Sequence, residues 1–443
     1  MQTKIINLWT KVRSSLWFIP TMMTGSVIGM VFLTLFLDQY SDIGLFFQEQ
    51  RFFAIGPQGA RMLLATIAGS VIGIAGVSFS ITIVALTLAS SQFGPRLLNN
   101  FMKDIANQIV LGTFIATFIY CLLILSAIQD HEAHVFVPQL SIKVGLALTL
   151  ISLGVFIFFI HHISVSIHAE NVIAGVSNEL EKAINYLVPP KIEQGKVVME
   201  PSAEPQLPPN FKQEAEAFFS PTSGYLQAID QQGIMNLAID YDLLIHLHHR
   251  PGEFIANGEI LATVWPPHHI EDNLHEKISR TFLIGNRRTE EQDVEFAIHQ
   301  LVEIALRALS PGIHDPFTAI GCIDRLGGCL GLLADRTLPS AFHFDEKQTL
   351  RVVARPLTMD GIFNAAFNQI RQEGASNVAV GLRLLETFGV LASQTDHSIM
   401  QEPIRLHAKM VKDEMLGHIK ADSDQKEVEK RYREVQNLLP PQS

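Results

Sequence analysis

The chain has 443 residues, of which 48% are hydrophobic and only 17% charged, below the roughly 25% charged content of ordinary water-soluble domains. Its net charge of -11 argues against nucleic acid as the main partner. Through Val165 there are eight Lys or Arg and six Asp or Glu, which leaves 25 and 38 for the rest, so an apolar front is joined to an acidic, water-facing back.

Residues 1–15 carry Lys4, Lys11 and Arg13. Four apolar stretches follow, at about 16–37, 62–90, 108–128 and 142–165. Each is long enough for the roughly twenty residues that cross a bilayer core as helix. The first is too long for a cleaved leader and is followed by no small-x-small site, so it is expected to stay. The interiors of the spans hold no Asp, Glu, Lys or Arg, which weighs against a proton-driven transporter and permits a conduit lined by hydroxyls, glycines and apolar groups. Lys4, Lys11, Arg13, Arg96 and Lys103 lie on one side of the expected topology and face Arg51, Arg61, Lys143 and several acids on the other. The positive-inside rule then places the N-terminus and everything after about Ser166 in the cytoplasm.

The pentad GSVIG occurs in the first and second spans, giving the small-residue pairs Gly25/Gly29 and Gly69/Gly73. In lipid, such pairs let helix backbones approach closely. In the second span the small face continues through Gly76, Ser80 and Thr87. Two readings stand. The pentads pack the first two spans against each other, or the second span lines a pore or joins subunits. That span has no charge from Met62 to Pro95, too long for the membrane, so it must tilt, break near 73–78 or extend beyond the bilayer. At its end Gly94 and Pro95 form a bend, with Arg96 and Lys103 placed to meet lipid headgroups. The outer loop with Asp130, His131, Glu132 and His134 reads as a solvated loop rather than a metal site, and His161, His162 and His168 as interfacial anchors.

A helix is expected to continue out of the membrane over 166–187, followed by a linker at 188–212 containing six prolines. Residues 213–267 alternate like strands. The spacing Gly252, Ile255, Gly258, Leu261, Val264 is similar to the half-motif of lipoyl and biotinyl carriers, yet no lysine lies between Lys212 and Lys277, so carrier chemistry is not expected. His246, His248, His249, His268 and His269 lack the supporting Cys or carboxylate cluster of a metal site. Residues 268–443 follow a helical rhythm. Thr289 and Gln292 fit a capping box ahead of an apolar stripe from Val294 to Ala308, and Pro311 and Gly312 stop that helix. Asp315 and Pro316 then open the next helix as N-cap and first position, making a structural corner. Arg287, Arg288 and Thr289 beside these helix starts form a candidate anion site. Cys121, Cys322 and Cys329 read as small apolar residues.

The ordered set SSQFGPRLL, RTEEQD and ALSPGIHDPFTA resembles a family of bacterial predicted membrane proteins catalogued as a domain of unknown function. The family pattern has Asn where His314 stands. The resemblance implies a polytopic protein of the bacterial inner membrane and supplies no activity. The expected fold is therefore a four-helix transmembrane domain followed by a mixed cytoplasmic region, a small β-sandwich or barrel-like module plus a helical domain. No phosphate-binding loop, zinc-protease His pair or nucleophile elbow is present, so neither an enzyme nor a cofactor is expected. The expected function is a homo-oligomeric conduit for ions or small solutes with a cytoplasmic regulatory domain. The alternative is a membrane-anchored sensor or scaffold that binds an anion or a protein partner.

Overall fold

The computed structural model describes residues 17–40, 55–94, 104–131, 134–188, 205, 207–267, 272–290, 292–395 and 398–441. The chain divides into two compact units, Met1–Asn171 and Val172–Ser443.

The first unit contains four helices long and apolar enough to cross a membrane: α1 (Phe18–Tyr40), α2 (Pro57–Phe93), α3 (Ile105–Ala127) and α4 (Gln139–Ser166). A short hairpin of β1 (Gln129–His131) and β2 (His134–Phe136) joins α3 to α4. The four expected stretches are thus helices, each extended by a few residues at one or both ends. That lengthening brings Asp38 and Arg61 into the helix ends, where snorkelling and backbone partners are within reach, as they are for Lys143 near the start of α4.

α3 is the hub of this unit. Its residues Val110, Phe114, Tyr120, Cys121 and Ile124 are all buried in one core with Leu64 and Val71 of α2 and Ile142 and Phe159 of α4. α2 runs unbroken for 37 residues, about 55 Å of helix against a core of about 30 Å. Of the three ways to fit this length, tilt, a break near 73–78 or extension beyond the bilayer, the break is absent. The helix is continuous through these residues, and Ser80 and Thr82 return their hydroxyls to the carbonyls of Gly76 and Ser78. α2 stops at Gly94, whose φ of 114° is open to glycine and closed to most side chains.

The helix expected to continue past Ser166 is interrupted at Ile167 and His168, and α5 (Ala169–Leu187) starts afresh. The cause is local: Asn171 Nδ2 takes the Val165 carbonyl at 2.8 Å, and Ser166 Oγ takes that of His162 at 2.7 Å.

The second unit opens with α5 and then a mixed region. After the turn helix α6 (Phe211–Glu214) come β3 (Glu216–Phe219), β4 (Gly224–Ile229), α7 (Gln231–Asp240), β5 (Leu244–Leu247), β6 (Phe254–Ile255) and β7 (Ile260–Trp265). Next are α8 (Asp272–Ser279), β8 (Phe282–Gly285), α9 (Val294–Leu309), α10 (Pro316–Gly331), β9 (Phe342–Phe344) and β10 (Leu350–Val353). The chain closes with α11 (Met359–Gly374), α12 (Val378–Gln394), α13 (Ser398–His418) and α14 (Asp422–Leu438). The strands form a five-stranded sheet, ordered β3-β7-β5-β10-β9, and a three-stranded sheet, ordered β6-β4-β8. Leu226, Ile245, Ile255, Val264, Phe282 and Val352 from both sheets share one core with Ile234 of α7 and Leu274 of α8.

Two local readings change here. Residues 231–240, read as part of an alternating stretch, are helical, because Asp230 caps the first turn by accepting from Gly233 N at 3.0 Å. Strands β8, β9 and β10 lie inside the stretch expected to be helical. They exist because β10 pairs in parallel with β5, about a hundred residues earlier, and β8 pairs with β4. No local period carries that information.

Candidate functional site

The small-residue pentads do not hold the first two spans together. A Cβ built on Gly25, Gly29, Gly69, Gly73 or Gly76 meets nothing within 4 Å. Close contacts between membrane helices are made instead at Gly145 of α4, against Leu64 and Tyr120, and most tightly at Gly112 of α3. A Cβ there would meet Met23 Sδ at 2.6 Å and the Pro20 Cα of α1 at 3.2 Å. Proximity of α1 and α2 is therefore mediated by α3.

α2 has two faces of similar spacing. Leu64, Ala68, Val71, Ala75, Ser78, Ala85 and Ala89 are buried on one side, a three-four repeat that lies in the unit's core with α3. Gly69, Gly73, Gly76, Ser80 and Thr87 are exposed on another. Ser80 and Thr87 bond to their own helix, at 2.9 Å each, so this exposed face carries small atoms and satisfied hydroxyls. Between the faces stand large apolar side chains, among them Ile72, Val77, Phe79, Val84 and Leu88, which suit a lipid surrounding.

Carboxylates lock both ends of the bundle. At one end Asp38 of α1 accepts from Leu140 N and Ser141 N at 2.9 Å each and from Ser141 Oγ at 2.7 Å, capping the start of α4. Tyr120 of α3 extends this network, donating to the Ser141 carbonyl at 3.1 Å and lying 3.1 Å from Thr34 Oγ1. At the other end Asp104 caps α3 through Ala106 N, and its second oxygen lies 2.6 Å from His162 Nε2 on α4. His162, expected as an interfacial anchor, is thus tied to a carboxylate and stacks on Phe158. Neither Asp was singled out from the sequence, although Asp104, four residues before the expected third span, was a readable cap signal. Pro95, Arg96, Lys103, Glu132, His268 and His269 lie outside the described residues. Among the described residues no three His, Cys, Asp or Glu side chains group as a metal site.

In the second unit the candidate anion residues are otherwise engaged. Arg288 grips Asp293 with two nitrogens, Nε to Oδ2 at 2.7 Å and Nη2 to Oδ1 at 2.9 Å, and lies over the Phe296 ring. Its charge is neutralised inside the protein. Thr289 Oγ1 donates to the Gln227 carbonyl at 3.3 Å, and the Arg287 carbonyl accepts from Gln227. The capping box is also displaced. α9 starts four residues after Thr289, on Asp293, which accepts from Phe296 N at 3.0 Å, while Gln292 is drawn to the β4 backbone at Ile229. Burial pushes the Asp293 carboxyl up, against the opposing pull of Arg288.

The corner is built by backbone geometry. Asp315 accepts from Thr318 N at 3.2 Å and from Thr318 Oγ1 at 2.6 Å, with Pro316 in the first turn of α10. Pro311 and Gly312 occupy the turn, where His314 takes a left-handed φ of 50°. Asn adopts that region more readily than most residues. The Asn of the resembled pattern thus answers a backbone requirement.

A separate cleft of about 120 Å³ opens between α7 and the five-stranded sheet. Its floor includes Ile234, Leu247 and Val352, and its polar lining includes His249, Arg250, His343 and Arg355. The arginines are held by acids: Arg250 by Glu295 at 2.6 Å and Arg355 by Glu253 at 2.8 Å, with His249 Nδ1 3.0 Å from Glu253. Burial lowers the His343 pKa. Sequence reasoning missed this cleft because its lining is drawn from β5, α7 and the β10 exit.

A protein-family model described as "Predicted membrane protein (DUF2254)" matches residues 13–389. Uncharacterized proteins of Mycobacterium bovis and of two strains of Mycobacterium tuberculosis are each 30% identical over 341 residues, 76% of this chain and 64% of the relative. The chain therefore spans about 64% of the length of the curated relatives it matches. No solved structure matches.

Proposed function

The chain belongs to the DUF2254 family of predicted membrane proteins, and from that premise we propose that it acts as a homo-oligomeric conduit for ions or small solutes. In this reading the exposed small-residue face of α2 is the seam between subunits and the second unit is the regulatory part. The reading rests on one observation: α2 carries two helix-packing faces, of which its own protomer covers one. The outer face, Gly69-Gly73-Gly76-Ser80, has the spacing and bare backbone that permit close helix approach in lipid. Repeating the contact around a closed ring brings α2 helices to a common axis. The placement proposed is the bacterial inner membrane, with the N-terminus and the second unit cytoplasmic by the distribution of Lys and Arg.

The test is Gly73→Leu with Gly76→Leu, assayed for mass in detergent and for solute flux in liposomes. The expected result is an oligomeric, flux-competent parent and a monomeric, silent variant of unchanged helicity. A monomeric parent with no flux across voltage, tension and pH overturns the reading.

The exposed Arg355 beside this cleft favours a second reading, a sensor without a pore whose second unit binds a small anion that competes with Glu253 for the guanidinium. Thermal stabilisation by phosphate that disappears in Arg355→Ala supports it. Equal stabilisation of parent and variant removes it.

A further inference from the structure

The corner between α9 and α10 leaves two large apolar side chains bare: Ile313 is 48% exposed and Phe317 81%. The backbone that carries them is held stiff. The N–H groups of Ile313 and His314 donate to the Ser310 carbonyl at 3.1 and 2.9 Å, and that of Asp315 donates to the Ala308 carbonyl at 2.7 Å. Pro311 and Pro316 fix two more φ angles. Asp315 is the one formally charged residue from Ser310 to Thr318, and its carboxylate is taken up by Thr318. Such a tip gives up little conformational freedom when an apolar partner covers it.

The place of the corner in the fold indicates the partner. α10 packs in parallel on α5, the helix that follows the fourth apolar helix. Gly321 faces Ile173, Cys329 Sγ lies 3.3 Å from Ser177 Oγ, and just past α10 Arg336 Nη2 donates to Asn185 Oδ1 at 2.7 Å. Partners along this seam are separated by 148 to 152 residues. Phe317 therefore stands level with the Ala169 end of α5 or about one turn beyond it. It lies one turn before Gly321 on the same face of α10, and helical side chains lean toward the N-terminus, so its ring points out past that end. Ser166, the last residue of α4, is only three residues before Ala169, a reach of at most about 11 Å. Chain connectivity alone thus keeps this end of the second unit beside the lipid that surrounds α4.

We propose that the corner is a bilayer-dipping tip: Ile313 and Phe317 insert where headgroups meet acyl chains and hold this end of the second unit to the membrane surface. Bare apolar side chains on a stiff support are the chemistry that binds a membrane without spanning it. The proposal is independent of the conduit, since it needs neither a pore nor a second copy of the chain.

The test places an indole at the tip. Phe317→Trp is made in a Trp9→Phe, Trp17→Phe, Trp265→Phe background, and the full chain is reconstituted in phosphatidylcholine vesicles. A reference variant carries Val390→Trp instead, an exposed position of α12 that lines a groove with Gly331, at the far end of α10. Exchanging the lipid for 6,7-dibromostearoyl phosphatidylcholine should quench the Phe317→Trp signal by about half, as for a ring about 5–10 Å into the headgroup and acyl boundary. The Val390→Trp signal should be untouched by the bromolipid and quenched by acrylamide. A Phe317→Trp signal that the bromolipid spares and acrylamide quenches overturns the proposal. One shielded from both quenchers also overturns it, because protein and not lipid then covers the tip, and equal bromolipid quenching of both variants does the same. Ile313→Trp, read in the same way, decides the matter where Phe317→Trp fails to fold.

Discussion

Asp38 closes one end of the membrane bundle by capping Ser141: its Oδ2 accepts from both the backbone N–H and the hydroxyl of that residue, at 2.9 and 2.7 Å. A helix start in or near lipid leaves N–H groups that cost several kcal/mol each when unmet. Asp38 meets two of them from a different helix and so sets the register of α1 on α4. Asp38→Ala should destabilise the first unit by about 1–3 kcal/mol, and Asp38→Asn by less, since its single oxygen still accepts one bond. Thermal unfolding in detergent, followed by circular dichroism, checks the order parent, Asn, Ala. Equal stability of all three would remove Asp38 as a clamp.

Arg288 and Asp293 predict a stability effect where a ligand effect was expected. Arg288→Ala leaves the nearly buried Asp293 carboxylate without its cation, a change on the order of 3–5 kcal/mol for a buried pair. Gly252 adds a second probe. It holds a φ of 97°, and a Cβ there would collide with Asp293 Oδ2. Gly252→Ala should therefore destabilise, and Gly252→Ala with Asp293→Asn should not recover, because the backbone strain persists. Denaturant unfolding of the full chain, with fluorescence from Trp265 as the signal, measures both.

His407 predicts the acid response of the second unit. It is 1% exposed and sits among Phe363, Phe367 and Phe388. Burial and the nearby Arg371 lower its pKa from the usual 6.5 to about 4. The folded pKa lies below the unfolded one, so the unfolded chain takes up the proton first as pH falls. This contribution is fully present above about pH 6.5 and fades as pH drops toward about 4, by up to about 3 kcal/mol. His407→Phe should flatten that part of the stability profile. An unchanged slope between pH 6.5 and 4 would assign the acid response to other groups.

The corner before α10 predicts opposite signs for two substitutions at one residue. His314→Asn should leave stability unchanged or slightly raised, because Asn tolerates the left-handed φ of 50°. His314→Val should cost about 1–2 kcal/mol, because a β-branched side chain resists that conformation. Melting temperatures of the two variants, compared with the parent, decide it. A Val variant as stable as the Asn variant would show that the corner is not strained.

Much of the local structure was legible in the sequence. The four long apolar stretches are helices, and Asp315-Pro316 carries its cap in its own residue types. The errors share a cause. Thr289 and Gln292 satisfied a local capping rule, but the paired strands β4 and β8 drew Gln292 to Ile229 and left the cap to Asp293. The GSVIG pentads looked like one contact between two spans, whereas the closest approach uses Gly112, which no repeat marks.

The sequence by itself determined which segments prefer lipid, because twenty uncharged apolar residues have few other stable environments and that preference is summed residue by residue. It also determined the small face of α2, a matter of spacing alone. Only the tertiary structure decided which helix is the hub and which acids close the bundle. Those outcomes depend on pairs such as Asp38–Ser141 and Asp104–His162, separated by 103 and 58 residues. Their free energy appears only once the helices are packed, and so it leaves no period or spacing in the chain to read.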